Sequence, residues 1–91
     1  MALKIIFMGT PEFAVPILDS INKSQHNILS VYTQPPKKRD RGLKLRISPI
    51  HEYSKVNKLA VRHPDNLNSK EEIKKITELN PNVVVVAAYG K

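Results

Sequence analysis

The sequence predicts a parallel α/β protein of the doubly wound kind, four strands alternating with three helices (βαβαβαβ) in the spatial order 3-2-1-4. Three observations carry this expectation. Short apolar runs alternate with amphipathic segments along the chain. Helix-entry signals follow directly on strand-like runs, so the strands pair in parallel through right-handed crossovers. The first and fourth runs are apolar throughout, as strands buried on both faces are, whereas the third is short and flanked by Lys58 and Arg62, as an edge strand is. In this arrangement ligands bind beyond the carboxyl ends of strands one and four, where the strand order reverses. Those ends are Gly9-Thr10-Pro11 and Ala88-Tyr89-Gly90.

Each element has its own signal. Residues 3–8 are a continuous apolar run closed by Gly9. Thr10-Pro11 reads as a helix entry, a hydroxyl for capping followed by a residue whose fixed φ suits the first turn. Phe13, Ile17, Leu18 and Ile21 then form an apolar stripe to about Asn22, and Pro16 requires that this helix start late or bend. Residues 28–33 are rich in β-formers and give the second strand. Residues 35–48, with Pro35-Pro36 and Gly42, are expected to be a long loop. Ser48-Pro49 repeats the helix-entry signature, and Ile50, Tyr53 and Val56 mark one face of a short helix. Residues 59–61 make a brief third strand and residues 65–68 a turn. Ser69 and Glu72 have the spacing of a capping box, Ser69 bonding forward and Glu72 bonding back. Ile73, Ile76 and Leu79 line the third helix, Asn80-Pro81 stops it, and residues 82–88 are the fourth and most apolar strand.

Ninety-one residues hold one small domain, with a thin margin of burial over chain entropy. The absence of cysteine excludes a disulfide framework and a thiolate metal site. The longest apolar runs fall far short of the roughly 20 residues a membrane helix needs, and the first residues lack the charged and apolar regions of a secretory signal. A cytoplasmic protein that does not engage a membrane is expected. The formal net charge of +7 is unevenly placed. Residues 35–48 hold Lys37, Lys38, Arg39, Arg41, Lys44 and Arg46 against Asp40 alone, while the other 77 residues carry 9 basic and 7 acidic groups. Concentrated charge on a loop longer than the usual connection points to a local anionic partner. No aromatic residue interrupts residues 35–48, so phosphate contact rather than base stacking is the expected mode.

Several chemistries do not fit. A dinucleotide site wants Gly-x-Gly-x-x-Gly after the first strand, but Gly9-Thr10-Pro11-Glu12-Phe13-Ala14 keeps only the first glycine. Pro11 removes a donor and Glu12 adds negative charge where a pyrophosphate would sit. No Gly-Lys-Ser/Thr of a phosphate-binding loop occurs. His26, His51 and His63 match no metal-ligand spacing, no metal is implied, and no nucleophile–base pair stands out.

The string from Ile5 through Gly9-Thr10-Pro11-Glu12-Phe13-Ala14 closely resembles the start of the methionyl-tRNA formyltransferase family. The likeness continues through His26-Asn27, Val31-Tyr32-Thr33-Gln34-Pro35, Arg41-Gly42-Leu43-Lys44-Leu45, Ser48-Pro49 and Val84-Val85-Val86-Ala87-Ala88-Tyr89-Gly90, in the family's order over essentially the whole chain. The resemblance implies a Rossmann-like formyltransferase fold. It also implies transfer of a formyl group from 10-formyltetrahydrofolate to the α-amino group of methionine on initiator tRNA. Arg41 matches the family's arginine on a loop that reaches the tRNA acceptor stem, with Lys37, Lys38, Arg39, Lys44 and Arg46 as further phosphate contacts. Gly9, Thr10, Pro11, Tyr89 and Gly90 match the turns that border the folate crevice. Lys37-Lys38-Arg39-Asp40 departs from the Pro/Ala/Gly-containing stretch common there.

The family's catalytic Asn, His and Asp, its Ser-Leu-Leu-Pro segment and its C-terminal barrel all lie beyond the matched region. Residues 1–91 are therefore expected to be the N-terminal portion of a formyltransferase domain, open on the strand-four side and inactive alone. The full-length enzyme is expected to be a monomer. A standalone basic RNA-binding or regulatory module and a fragment of a small-molecule folate-dependent formyltransferase are the alternatives, the latter disfavoured by the basic loop.

Overall fold

A computed structural model describes residues 2–39 and 44–90. Its elements follow the predicted alternation, with one addition. Strand β1 (Lys4–Gly9) leads through a 3-10 turn (Glu12–Ala14) into helix α1 (Val15–Asn22), and strand β2 (Asn27–Tyr32) follows. Residues 35–48 are not an irregular loop: β3 (Lys37–Arg39) and β4 (Lys44–Arg46) pair antiparallel as a separate two-stranded ribbon. Helix α2 (Pro49–Val56), strand β5 (Val61–Arg62), helix α3 (Lys70–Leu79) and strand β6 (Val83–Ala87) complete the chain.

The main sheet has the order β5-β2-β1-β6, all parallel, which is the predicted 3-2-1-4 with the ribbon inserted. β1 is central and buried; it pairs with β2 from Lys4↔Asn27 to Met8↔Tyr32 and with β6 from Ile5↔Val83 to Gly9↔Ala87. β5 touches β2 through two residue pairs, the edge position its short length and flanking charge foretold. β6 is the other edge of the sheet among the described residues, leaving Val84 and Val86 42% and 62% exposed despite their apolar character.

Alternate residues of β1 feed two cores. On one face Phe7 packs with Ala14, Leu18, Val31 and Ile50 beneath α1 and α2; on the other, Ile6, Met8 and Tyr32 pack with Ile76 of α3 and with Leu67 and Tyr89. The helix stripes are correspondingly narrower than the sequence implied. Ala14 and Leu18 face inward while Phe13 and Ile17 are exposed, because Pro16 delays α1 and the preceding 3-10 turn changes the residue that points at the sheet. Val56 is exposed and Ser54 takes the buried place on α2. Ile73 and Leu79 are also exposed, and α3 instead buries Glu72.

Glu72 accounts for a second departure. Ser69 caps α3 by accepting from the Glu72 amide (3.2 Å), but the return half of the capping box is absent. The Glu72 carboxylate turns under the sheet, where it accepts from the Tyr32 hydroxyl (3.1 Å) and from Arg62 Nε (3.0 Å) and Nη2 (2.7 Å). The Ser69 amide donates to the Asn66 carbonyl instead. Arg62 holds the Glu72 carboxyl below its usual value, and burial followed by the Glu72 contact pushes the Tyr32 phenol up to about 12.

Candidate functional site at the carboxyl edge of the sheet

The carboxyl ends of β1, β2 and β6 meet at the predicted switch point. Gly9 ends β1 in a position that only a glycine fits. A β-carbon there would lie 2.8 Å from Phe7 Cε2 and 2.9 Å from the Ala87 carbonyl, so the close approach of β6 depends on its absence. Beyond it, Thr10 does not cap the following helix, as the sequence suggested; Pro11 occupies the cap position of the 3-10 turn with no side-chain bond. The Thr10 hydroxyl is directed across the sheet edge. It donates to the Tyr89 carbonyl (2.5 Å) and accepts from the Gln34 amide (3.3 Å), while the Thr10 amide donates to the Ala88 carbonyl (3.1 Å).

β6 leaves the sheet through a turn with two left-handed residues, Ala88 at φ 59° and Gly90 at φ 99°. For alanine that backbone is costly, and surrounding bonds must impose it. The Tyr89 carbonyl receives a second donor, Gln34 Nε2 (3.3 Å), and the Tyr89 hydroxyl reaches the Thr33 carbonyl at 3.5 Å. Burial, and then the charge of Glu72, raise the Tyr89 phenol above its ordinary pKa.

Two cavities flank this knot. The larger, about 460 Å³, lies between Gln34, the segment Asp65, Asn66 and Asn68, and the turn residues Tyr89 and Gly90. Its size is that of a small-molecule site and its walls are rich in amide and carbonyl groups. The smaller, about 30 Å³, lies between Thr10, Gln34, Lys37, Arg46 and Ser48, at the base of the ribbon. Ser48 closes that base. Its hydroxyl caps α2 by accepting from the His51 amide (2.9 Å), as expected, and meets the Thr33 hydroxyl at 2.6 Å. The root of the ribbon that follows β4 is thus tied back to the end of β2.

Of the crevice residues singled out by sequence, Tyr89 and Gly90 line the larger cavity and Thr10 the smaller, whereas Gly9 and Pro11 line neither. Of the basic residues, Lys37 and Arg46 are paired across the ribbon and share the smaller cavity with Thr10. Lys38 and Lys44 are exposed farther out, opposite Leu45 and Arg39 in the register. Arg41 lies outside the described residues. The register sets basic residue opposite basic residue twice, Lys37↔Arg46 and Arg39↔Lys44, which concentrates basic positions on the ribbon.

Sequence reasoning missed Gln34 and residues 65–68 as walls of the larger cavity, although both follow carboxyl ends of strands, the one signal that could have found them. The histidines match no metal-ligand spacing in the sequence. His26 Nδ1 accepts from the Leu3 amide (2.9 Å), and the His51 and His63 rings stack with centroids 5.1 Å apart. His51 Nδ1 is buried without a hydrogen-bond partner, and burial, His63 and Lys55 lower its pKa. Among the described residues no three His, Asp or Glu side chains cluster as metal ligands, and no helix is long and apolar enough to cross a membrane.

The sequence model of the formyl transferase family matches residues 3–91. Curated relatives include the methionyl-tRNA formyltransferases of Ehrlichia ruminantium (49% identical over 89 residues), Caldanaerobacter subterraneus subsp. tengcongensis (46% over 90) and Jannaschia sp. (44% over 88). These alignments cover 97–98% of this chain and 29% of the length of each relative. With a match along nearly its entire length and the parallel sheet and switch-point crevice described above, the chain belongs to the formyl transferase family.

Proposed function

We propose that the chain is the N-terminal portion of the formyltransferase domain of a methionyl-tRNA formyltransferase, cytoplasmic and monomeric at full length. In this reading the enzyme moves a formyl group from 10-formyltetrahydrofolate to the amino group of methionine on initiator tRNA. The observation that carries it is the like-charged ribbon rooted beside the switch-point crevice. Basic residues gathered on two short strands suit a polyanion, and a nucleic-acid backbone supplies regularly spaced phosphates. Lys37, Lys38, Arg39, Arg41, Lys44 and Arg46 are the phosphate contacts to the acceptor stem. The relatives, methionyl-tRNA formyltransferases by name, support the same partner.

The larger cavity fits a folate-type donor in size and in the amide-rich chemistry of its walls. Tyr89 and Gly90 would border the donor, and Gly9, Thr10 and Pro11 would shape the turn beside it. The described residues offer no general base paired with a nucleophile and no converging oxyanion donors, so formyl transfer draws these groups from elsewhere in the enzyme.

Two measurements test the reading. Binding of an acceptor-stem duplex should weaken with salt at a log–log slope of about −5 for the six phosphate contacts, and Lys37→Ala with Lys44→Ala should reduce that slope by about two. Binding indifferent to salt, or an unchanged slope, would refute the ribbon's role. The 91-residue chain given 10-formyltetrahydrofolate and initiator methionyl-tRNA should form no formylmethionyl-tRNA; measurable turnover would refute the assignment of catalysis to other residues.

A further inference from the structure

We propose that Thr10 is a positioning residue whose hydroxyl joins the base of the basic ribbon to the crevice turn, so that RNA engaged by the ribbon is felt at Tyr89 and Gly90. The RNA half of this inference rests on the function proposed above; the joining itself does not. One oxygen serves both sides: it accepts from the Gln34 amide, where β2 gives way to the ribbon, and donates to the Tyr89 carbonyl, where β6 gives way to the crevice. Gln34 closes the loop by donating its own side-chain amide to that carbonyl.

The chain of contacts is continuous from the ribbon inward. Lys37 and Arg46 flank the small cavity that Thr10 and Gln34 also line, and the Thr33–Ser48 hydroxyl pair ties the root after β4 to the end of β2. A displacement of the ribbon base therefore moves the Gln34 amide relative to Thr10. At the far end the receiving element is held in backbone that alanine rarely adopts, Ala88 at φ 59°, so it relaxes when its bonds are lost. Contiguous hydrogen bonds ending on a strained turn make a physical route for coupling. A threonine that merely capped a helix would have no such reach.

The test uses amide hydrogen exchange and amide chemical shifts in the chain. The amide of residue 10 bonds to the Ala88 carbonyl and does not involve the hydroxyl, so it reports the turn independently. In Thr10→Val, exchange at both the Gln34 amide and the residue-10 amide should accelerate about five- to tenfold, the loss of one hydrogen bond at each end. Thr10→Ser should restore both. Acceleration at Gln34 alone would overturn the joining. Should Thr10→Val fail to fold, Thr10→Ala decides, since it removes the same hydroxyl and both of its bonds without leaving a branched side chain. Faster exchange of the residue-10 amide is required, and an unchanged rate overturns the proposal.

An acceptor-stem duplex should then shift the amides of Lys37–Arg39 and of Tyr89 and Gly90 in the parent and in Thr10→Ser, but only the ribbon amides in Thr10→Val. Shifts at Tyr89 and Gly90 that survive Thr10→Val would overturn the relay. Absence of any RNA-induced shift would sink the relay and the nucleic-acid reading together, while the exchange result would still judge the joining.

Discussion

Replacing Arg62 by methionine should expose how far the fold depends on one buried carboxylate. Glu72 is 5% exposed and its oxygens accept two bonds from Arg62, at 3.0 and 2.7 Å, and one from Tyr32. Methionine keeps the length of the stem and removes both donors. Removing one partner of a fully buried pair costs roughly 3–5 kcal/mol, whereas an exposed pair contributes at most about 1 kcal/mol. The Arg62 side chain is 39% exposed, so the expected cost lies between these limits, about 2 kcal/mol. Glu72→Gln alone should cost about 1–2 kcal/mol through loss of the charged bonds. In the double variant the unpaired carboxylate is gone, so the two costs should fall short of additivity by about 1–2 kcal/mol.

Urea unfolding followed by circular dichroism measures all four corners of this cycle. The sign with pH follows from linkage. Arg62 lowers the folded-state pKa of Glu72 from its usual 4.5, so the pair's contribution is present above that value and is lost as pH falls through the folded pKa. The gap between parent and Arg62→Met should therefore narrow on acidification. Costs that add, or a gap that is constant from neutral pH to pH 3, would refute the reasoning.

Three other outcomes are expected. Gly9→Ala should destabilise by about 1–3 kcal/mol in the same unfolding assay, because its β-carbon would meet both Phe7 and the fixed Ala87 carbonyl. His51 has a folded pKa below 6.5, so the unfolded chain binds the extra proton first and stability should fall as pH drops below that value; the melting temperature of the parent should fall more steeply on acidification than that of His51→Gln, and equal slopes would refute this. Val84→Lys with Val86→Lys should reduce self-association seen by sedimentation, since the β6 edge, unpaired among the described residues, also presents apolar side chains.

The order of the main sheet was legible because strand composition reports burial: β1 is apolar and central, β5 short, charged and peripheral. What escaped was anything that depended on which way a side chain turned. Glu72 has the spacing of a capping box, yet the charge of Arg62 and the hydroxyl of Tyr32, 10 and 40 residues away, draw it inward. Thr10 stands before a proline like a helix cap, yet the carbonyl of a residue 79 positions later is the better acceptor. The ribbon was hidden because Pro35-Pro36 and dense charge read as loop, whereas three cross-strand pairs suffice to form it. The stacking of His51 on His63 has no local signature at all.

The register of that ribbon has a consequence for how ionic strength acts. Facing basic residues whose Cβ atoms are about 5 Å apart lie well within a Debye length at physiological salt, so dissolved ions screen the ribbon before any partner arrives. The same ions compete for the phosphates it would grip. Salt should thus order the free ribbon while it weakens the complex, two opposite trends written into a single set of side chains. At low ionic strength the ribbon would be at its most restless and its most adhesive, a disposition suited to catching a polyanion first and taking its final shape against it.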